Sequence, residues 1–155
     1  KVIHTTLTNN YAFSWGGRTQ PILYYSNKYK DYILEFKAEM YNSIVHGNYT
    51  SEIDYQLDTL TIAPAYFFKN CIVKQYMKTV DSNIYRDCLI NSSPKFVYEE
   101  IKDDTYRQYD YHLTSSSPAI GKADASITPI TPKDLDGNER MQNGTADIGC
   151  YEYIQ

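Results

Sequence analysis

Three stretches of this chain share one order of residue types: an alternating run, an Asn, then a small or aromatic residue and apolar residues. They are Thr8-Asn9-Asn10-Tyr11-Ala12-Phe13, Met40-Tyr41-Asn42-Ser43-Ile44-Val45 and Phe68-Lys69-Asn70-Cys71-Ile72-Val73. Asn10, Asn42 and Asn70 stand 32 and 28 residues apart. Ahead of them run Val2–Leu7, Tyr32–Ala38 and Thr61–Phe67, whose period-two alternation is that of short half-buried strands. No segment between them has a helical period long enough to cross a sheet. Strand, bend and strand repeated about every 30 residues predict an all-β fold built as the stacked coils of a solenoid.

The bend explains the Asn. A sharp turn between two sheets puts one residue in the left-handed region, which Asn tolerates better than other residues with a Cβ. Stacked on successive coils, Asn10, Asn42 and Asn70 would form a ladder in which side-chain amides bond one another. The competing reading is three unrelated turn asparagines in a β-sandwich. Asn83–Ile90 continues the pattern for half a turn, and Asn91-Ser92-Ser93-Pro94 ends it, with Pro94 setting the exit. Residues 1–93 are therefore expected to form the coils, and 94–155 an irregular C-terminal segment of the same domain.

Composition narrows the partners. Seventeen of 155 residues are Tyr, beside five Phe and one Trp, a bias toward strands and half-exposed sheet faces. Tyr24, Tyr25, Tyr29 and Tyr32 form one dense group and Tyr106, Tyr109 and Tyr111 another. A planar ring with a hydroxyl rim suits stacking on sugars, so these seven are the carbohydrate-binding candidates; the alternative is that they cover sheet faces. The net charge of −4 gives no footprint for a phosphate backbone, which argues against nucleic acid. No stretch is apolar enough to be a transmembrane segment. Three cysteines are too few for a disulfide framework; Cys71 reads as a small buried hydrophobe, and a Cys71–Cys88 bond depends on geometry that spacing does not supply.

The last sixty residues carry the most specific pattern. They contain Ser93-Pro94-Lys95-Phe96-Val97, Tyr111-His112-Leu113, Ser117-Pro118-Ala119-Ile120-Gly121, Asp134-Leu135-Asp136-Gly137-Asn138-Glu139-Arg140 and Asp147-Ile148-Gly149-Cys150-Tyr151-Glu152. In this order they resemble the closing region of bacterial secreted right-handed parallel β-helix proteins, the group with choice-of-anchor Q ends. Asn42–Gly47 and Asn70–Lys74 also resemble that family's coils. Cys150 stands where the family usually has Ala, and Gly121 where Asp is common. The resemblance implies a right-handed parallel β-helix of a few coils from a secreted or cell-surface protein of the bacterial envelope. The role it implies is non-catalytic and adhesin-like, contacting polysaccharide or another surface macromolecule. The alternatives are a polysaccharide lyase or glycoside hydrolase of β-helix type, and a structural spacer.

The tail also reads as a cap without that resemblance. An open stack of coils exposes apolar side chains and unpaired edges, which a terminal segment must cover. Ile120, Ile127, Ile130, Ile148 and Tyr151 would cover it, Pro118, Pro129 and Pro132 would deny hydrogen bonds to an incoming strand, and Arg140 would pair with Asp147 or Asp134. The N-terminal end carries no such segment, so upstream coils or another chain are expected there.

Candidate chemistry is sparse. Asp134, Asp136 and Asn138 place oxygens at i, i+2 and i+4 beside Gly137, as a calcium loop begins. A loop of about twelve residues asks for an acid near Thr145, and the alternative is an Asp-Gly turn bonded to its own amides and Arg140. Calcium is the single cofactor considered; otherwise none is expected. A lyase needs a basic proton abstractor, for which Lys37, His46, Lys74 and Arg86 qualify by type, but no acidic cluster accompanies them. Glu35, Glu39, Asp54 and Asp58 imply no paired carboxylates for a hydrolase. His4, His46 and His112 accompany no nucleophile motif.

Overall fold

The computed structural model describes residues 1–9, 19–98, 109–142 and 144–154. Fourteen short strands are present among them: β1 (Val2–Ile3), β2 (Thr6–Asn9), β3 (Leu23–Ser26), β4 (Lys28–Tyr29), β5 (Tyr32–Ile33), β6 (Lys37–Tyr41) and β7 (Ile44–Gly47). Then come β8 (Ile53–Gln56), β9 (Ala65–Lys69), β10 (Ile72–Val73), β11 (Tyr85–Arg86), β12 (Leu89–Ile90), β13 (Phe96–Tyr98) and β14 (Asp110–Leu113). The only helical turn described is a 3-10 turn at Thr128–Ile130. The fold is all-β, in small parallel sets. No described helix is long and apolar enough to cross a membrane.

Strand order follows from the alternation in the sequence. A first sheet runs β1-β6-β9-β11, a second runs β12-β10-β7-β2, and a third pairs β3 with β8; every pairing in these three is parallel. The chain therefore passes from first sheet to second to third, repeats this once, and then makes two shorter passes through the first two sheets alone. Register is constant. Val2, Met40, Phe68 and Tyr85 stand side by side in the first sheet, and Thr6, Ile44, Ile72 and Leu89 in the second. β4 and β5 form a two-stranded antiparallel hairpin, and β13 pairs antiparallel with β14.

The bend between first and second sheets is the predicted left-handed turn. His4, Asn42, Asn70 and Asp87 have φ of 46°, 48°, 49° and 52°. Hydrogen bonds between passes continue through it: His4, Asn42 and Asn70 donate their N–H to Tyr41, Lys69 and Arg86 carbonyls, while Ile44, Ile72 and Leu89 donate back to Thr5, Ser43 and Cys71. The bend thus turns the chain without orphaning backbone groups. Asn10 lies outside the described residues, and His4 holds the corresponding position in the first pass.

Two apolar clusters sit on opposite faces of the second sheet. Val45 and Val73 point inward to Met40, Ile53, Phe68, Cys71 and Tyr85. Ile44 and Ile72, one residue earlier, point outward to Phe96, Leu113, Ala119 and Ile148. This places the C-terminal segment on the side of the stack, where it buries the outer face of the second sheet. The second-sheet strands are apolar on both faces, and the tail supplies the second cover.

Candidate functional site

Of the stacked asparagines, Asn42 and Asn70 do not bond one another. Asn42 is fully buried, and its Oδ1 accepts the Asp124 N–H at 2.7 Å while its Nδ2 donates to the Asp124 carbonyl at 3.1 Å and to His4 Nε2 at 3.0 Å. Asn70 Nδ2 donates to the Lys122 carbonyl at 2.9 Å. The left-handed bend directs each side chain outward, and the tail runs past it there. The predicted amide ladder is therefore a pair of clasps on residues 122–124. Lys69 adds an ion pair to Asp124 at 2.6 Å, and this pair with the Ser126 hydroxyl pulls the Asp124 carboxyl down to about 2.

The acidic and basic residues of the tail motif hold the tail's own shape. Asp134 Oδ1 accepts the Asp136 and Asn138 N–H groups at 3.0 and 2.7 Å, and its Oδ2 accepts Asn138 Nδ2 and the Glu152 N–H at 3.0 Å each. Four protein donors thus occupy the carboxylate expected to lead a calcium loop. Asn138 is turned onto Asp134, and Asp136 Oδ2 meets His112 Nε2 at 2.7 Å. No group of three His, Cys, Asp or Glu side chains suited to a metal occurs among the described residues. Arg140 pairs with Glu152 at 2.8 Å, in place of the expected Asp147 or Asp134, with both side chains buried. Burial and then Asp147 push the Glu152 carboxyl up to about 7, against the opposing pull of Arg140. Asp147 in turn accepts the Gly121 and Tyr153 N–H groups at 2.7 Å each.

Sequence reading missed the surroundings of His112. Its Nδ1 lies 2.5 Å from Asp110 Oδ1, its Nε2 reaches Asp136, and its ring stacks on Tyr151 with centroids 3.9 Å apart. Asp136, then Asp110, hold the imidazole above its ordinary value, and with a carboxylate at each ring nitrogen it ties β14 to the 134–138 turn. Asp110 and Asp136 are 26 residues apart, with no local signal linking them.

Three of the four candidate lyase bases have a structural partner. Lys74 Nζ donates to the Gly47 carbonyl at 2.6 Å, Lys37 pairs with Glu39 at 3.1 Å, and Arg86 lies 4.1 Å from the Phe67 ring centroid. Burial, then Lys74, lowers His46 to about 4, leaving it neutral near pH 7.

The tyrosines divide by position. Tyr25 is interior: it packs on the first core with its ring 6.2 Å from Phe68, nearly parallel, and burial pushes its hydroxyl up to about 12. It is therefore part of the core packing. Tyr111 packs on Phe96 and belongs to the cover of the second cluster, and Tyr109 stacks on Tyr111. Tyr106 lies outside the described residues. Tyr24, Tyr29 and Tyr32 remain, 54%, 62% and 67% exposed. Tyr24 faces outward from β3 and donates its hydroxyl to Gln56 Oε1 on β8 at 2.7 Å. Tyr29 and Tyr32 are cross-strand partners on the β4–β5 hairpin. Asn27 anchors that hairpin's base, its Nδ2 donating to the Asp58 carbonyl at 2.8 Å and its Oδ1 accepting the Asp58 N–H at 2.7 Å. Rings held on paired strands with an anchored base present a fixed surface, and the phenol hydroxyls and Gln56 supply its polar rim.

Compared with known proteins, the chain matches no family model, no curated protein and no solved structure.

Proposed function

We propose that this chain is a non-catalytic right-handed parallel β-helix portion of an exported bacterial surface protein, and that it contacts carbohydrate through Tyr24, Tyr29 and Tyr32. Three repeated features support the helical winding: the fixed order of sheets, parallel pairing between passes, and the left-handed bend at His4, Asn42, Asn70 and Asp87. The tail's resemblance to secreted β-helix proteins supports the compartment. The observation that carries the binding reading is the exposure of Tyr24 on β3 and of Tyr29 and Tyr32 on the β4–β5 hairpin that follows it in the chain.

The test is a glycan array probed with the wild-type chain, with Tyr29→Ala/Tyr32→Ala and with Tyr24→Ala. Loss of two stacking rings is expected to weaken binding by about 10-fold or more. Both variants should keep the wild-type denaturation midpoint, since exposed side chains contribute little to stability. Absence of glycan binding by the wild type, or unchanged binding by the hairpin variant, refutes the assignment.

A further inference from the structure

We propose that Cys71 and Cys88 are a disulfide-forming pair that locks the fourth pass through the sheets to the third. Register places them together. Ile72 pairs with Leu89 and Val73 with Ile90, the Asn70 N–H bonds the Arg86 carbonyl, and the Leu89 N–H bonds the Cys71 carbonyl at 2.8 Å. Cys71 and Cys88 are consequently lateral neighbours, each following the left-handed residue of its own bend, Asn70 and Asp87. Neighbouring strands lie about 4.8 Å apart, inside the range of about 4.4–6.8 Å in which Cα atoms are bridged. Both are free thiols; Cys71 Sγ donates to the Lys69 carbonyl at 3.3 Å and Cys88 Sγ to the Arg86 carbonyl at 3.4 Å, the equivalent bond in the next pass.

Their surroundings divide the labour. Cys71 is fully buried in the first core, and its thiol is pushed up by burial. Cys88 is half-buried at the edge of that core, and the neighbouring Cys71 holds its thiol below the ordinary value. A small disulfide such as oxidised glutathione therefore meets Cys88 first. The Cys88 thiolate attacks one glutathione sulfur, forming a mixed disulfide and releasing one glutathione thiolate. Cys71 then loses its proton and attacks the Cys88 sulfur, and the second glutathione leaves as thiolate. Two protein thiols are oxidised to one disulfide while oxidised glutathione is reduced to two thiols. The link would close a loop over residues 72–87, where the third pass has no strand in the third sheet and the last pass is paired on one side only. A covalent closure constrains the unfolded chain most usefully where backbone pairing is thinnest.

The experiment uses the full chain with Cys150→Ser, which leaves these two thiols alone. Treatment with oxidised glutathione is expected to take the free-thiol count from two to none with no glutathione mass retained. Peptide mapping should join the Cys71 and Cys88 peptides. The oxidised form should melt about 5–10 °C above the dithiothreitol-reduced form. Adding Cys88→Ser should abolish both the joined peptide and the shift. Persistent thiols, a stable glutathione adduct on Cys88, cross-linked dimers, or a shift that survives Cys88→Ser would each overturn the proposal. Neither the tyrosines nor any glycan enters this measurement, so either proposal can fail alone.

Discussion

Asn42 joins a backbone requirement to a side-chain one. It sits at φ 48°, is fully buried, and its amide holds both the N–H and the carbonyl of Asp124. Asn70 has the same backbone angle but a single side-chain bond, to Lys122. Asn42→Ala should therefore cost about 3 kcal/mol in urea unfolding and Asn70→Ala about 1–1.5 kcal/mol. Equal losses would show that the clasp on Asp124 contributes nothing beyond the bend. His4 occupies the first bend, accepts from Asn42 Nδ2 at Nε2, and has its pKa lowered from 6.5 to about 4 by burial first and Arg140 second. The unfolded chain then binds a proton at His4 that the folded chain refuses, so stability falls as pH drops from about 6.5 toward 4. His46, lowered to about 4 as well, adds to the same fall, so His4→Asn, which keeps a residue suited to the left-handed bend, should reduce it without removing it, measured as urea midpoints at pH 7 and 4.5. His112 works with the opposite sign. Its raised pKa adds stability below its ordinary value, which is lost as pH rises through the raised one. The bend asparagines at 42 and 70 were legible because an apolar pair follows each in local sequence. His4 was not, because lateral register, with Val2 beside Met40, selects it over Asn10.

Among the elements, the tail shows how closely an irregular segment can be specified. Gly149 has φ +111°, donates its N–H to the Asn42 carbonyl at 2.9 Å, and sits so near the second sheet that a Cβ would meet Ile44 Cδ1 at 2.9 Å and Thr6 Oγ1 at 3.0 Å. Gly149→Ala should cost about 3 kcal/mol or more from strain and overpacking together, read by thermal or urea unfolding. A near-neutral result would mean that the tail lifts from the sheet without loss. The tail's acidic motif suggests metal when read along the chain, because spacing reports which oxygens are near one another but not which donors already fill them. Here Asp134 is filled by Asp136, Asn138 and Glu152, so added calcium should leave the melting temperature unchanged.

At the scale of the molecule, aromatic rings run through the first cluster beside its aliphatic residues. Phe68 and Tyr85 stack at 5.2 Å, Tyr25 lies beside Phe68, and the Tyr55 and Tyr85 hydroxyls bond at 2.6 Å across the space between the third and first sheets. Much of the tyrosine content therefore serves packing, with the Tyr55 and Tyr85 hydroxyls satisfying one another. Strands β6, β7, β9 and β10 are paired on both sides and carry both apolar clusters, whereas β11 and β12 are paired on one. Hydrogen exchange should be slowest in the former group and fastest in β11 and β12 of the reduced chain. Uniform exchange across all passes would contradict a stack with weak ends.

Alternation and bend chemistry are local, so the letters alone determined that the chain is all-β, that its strands recur, and that left-handed turns fall at Asn42 and Asn70. Which face the tail covers, which tyrosines are rings in the core, and which carboxylate takes Arg140 depend on lateral register between passes a few tens of residues apart. That register is set by the packing of Met40 on Phe68 and of Ile44 on Ile72. Only the assembled sheets bring those side chains together, and only then do the remaining contacts have a partner to choose.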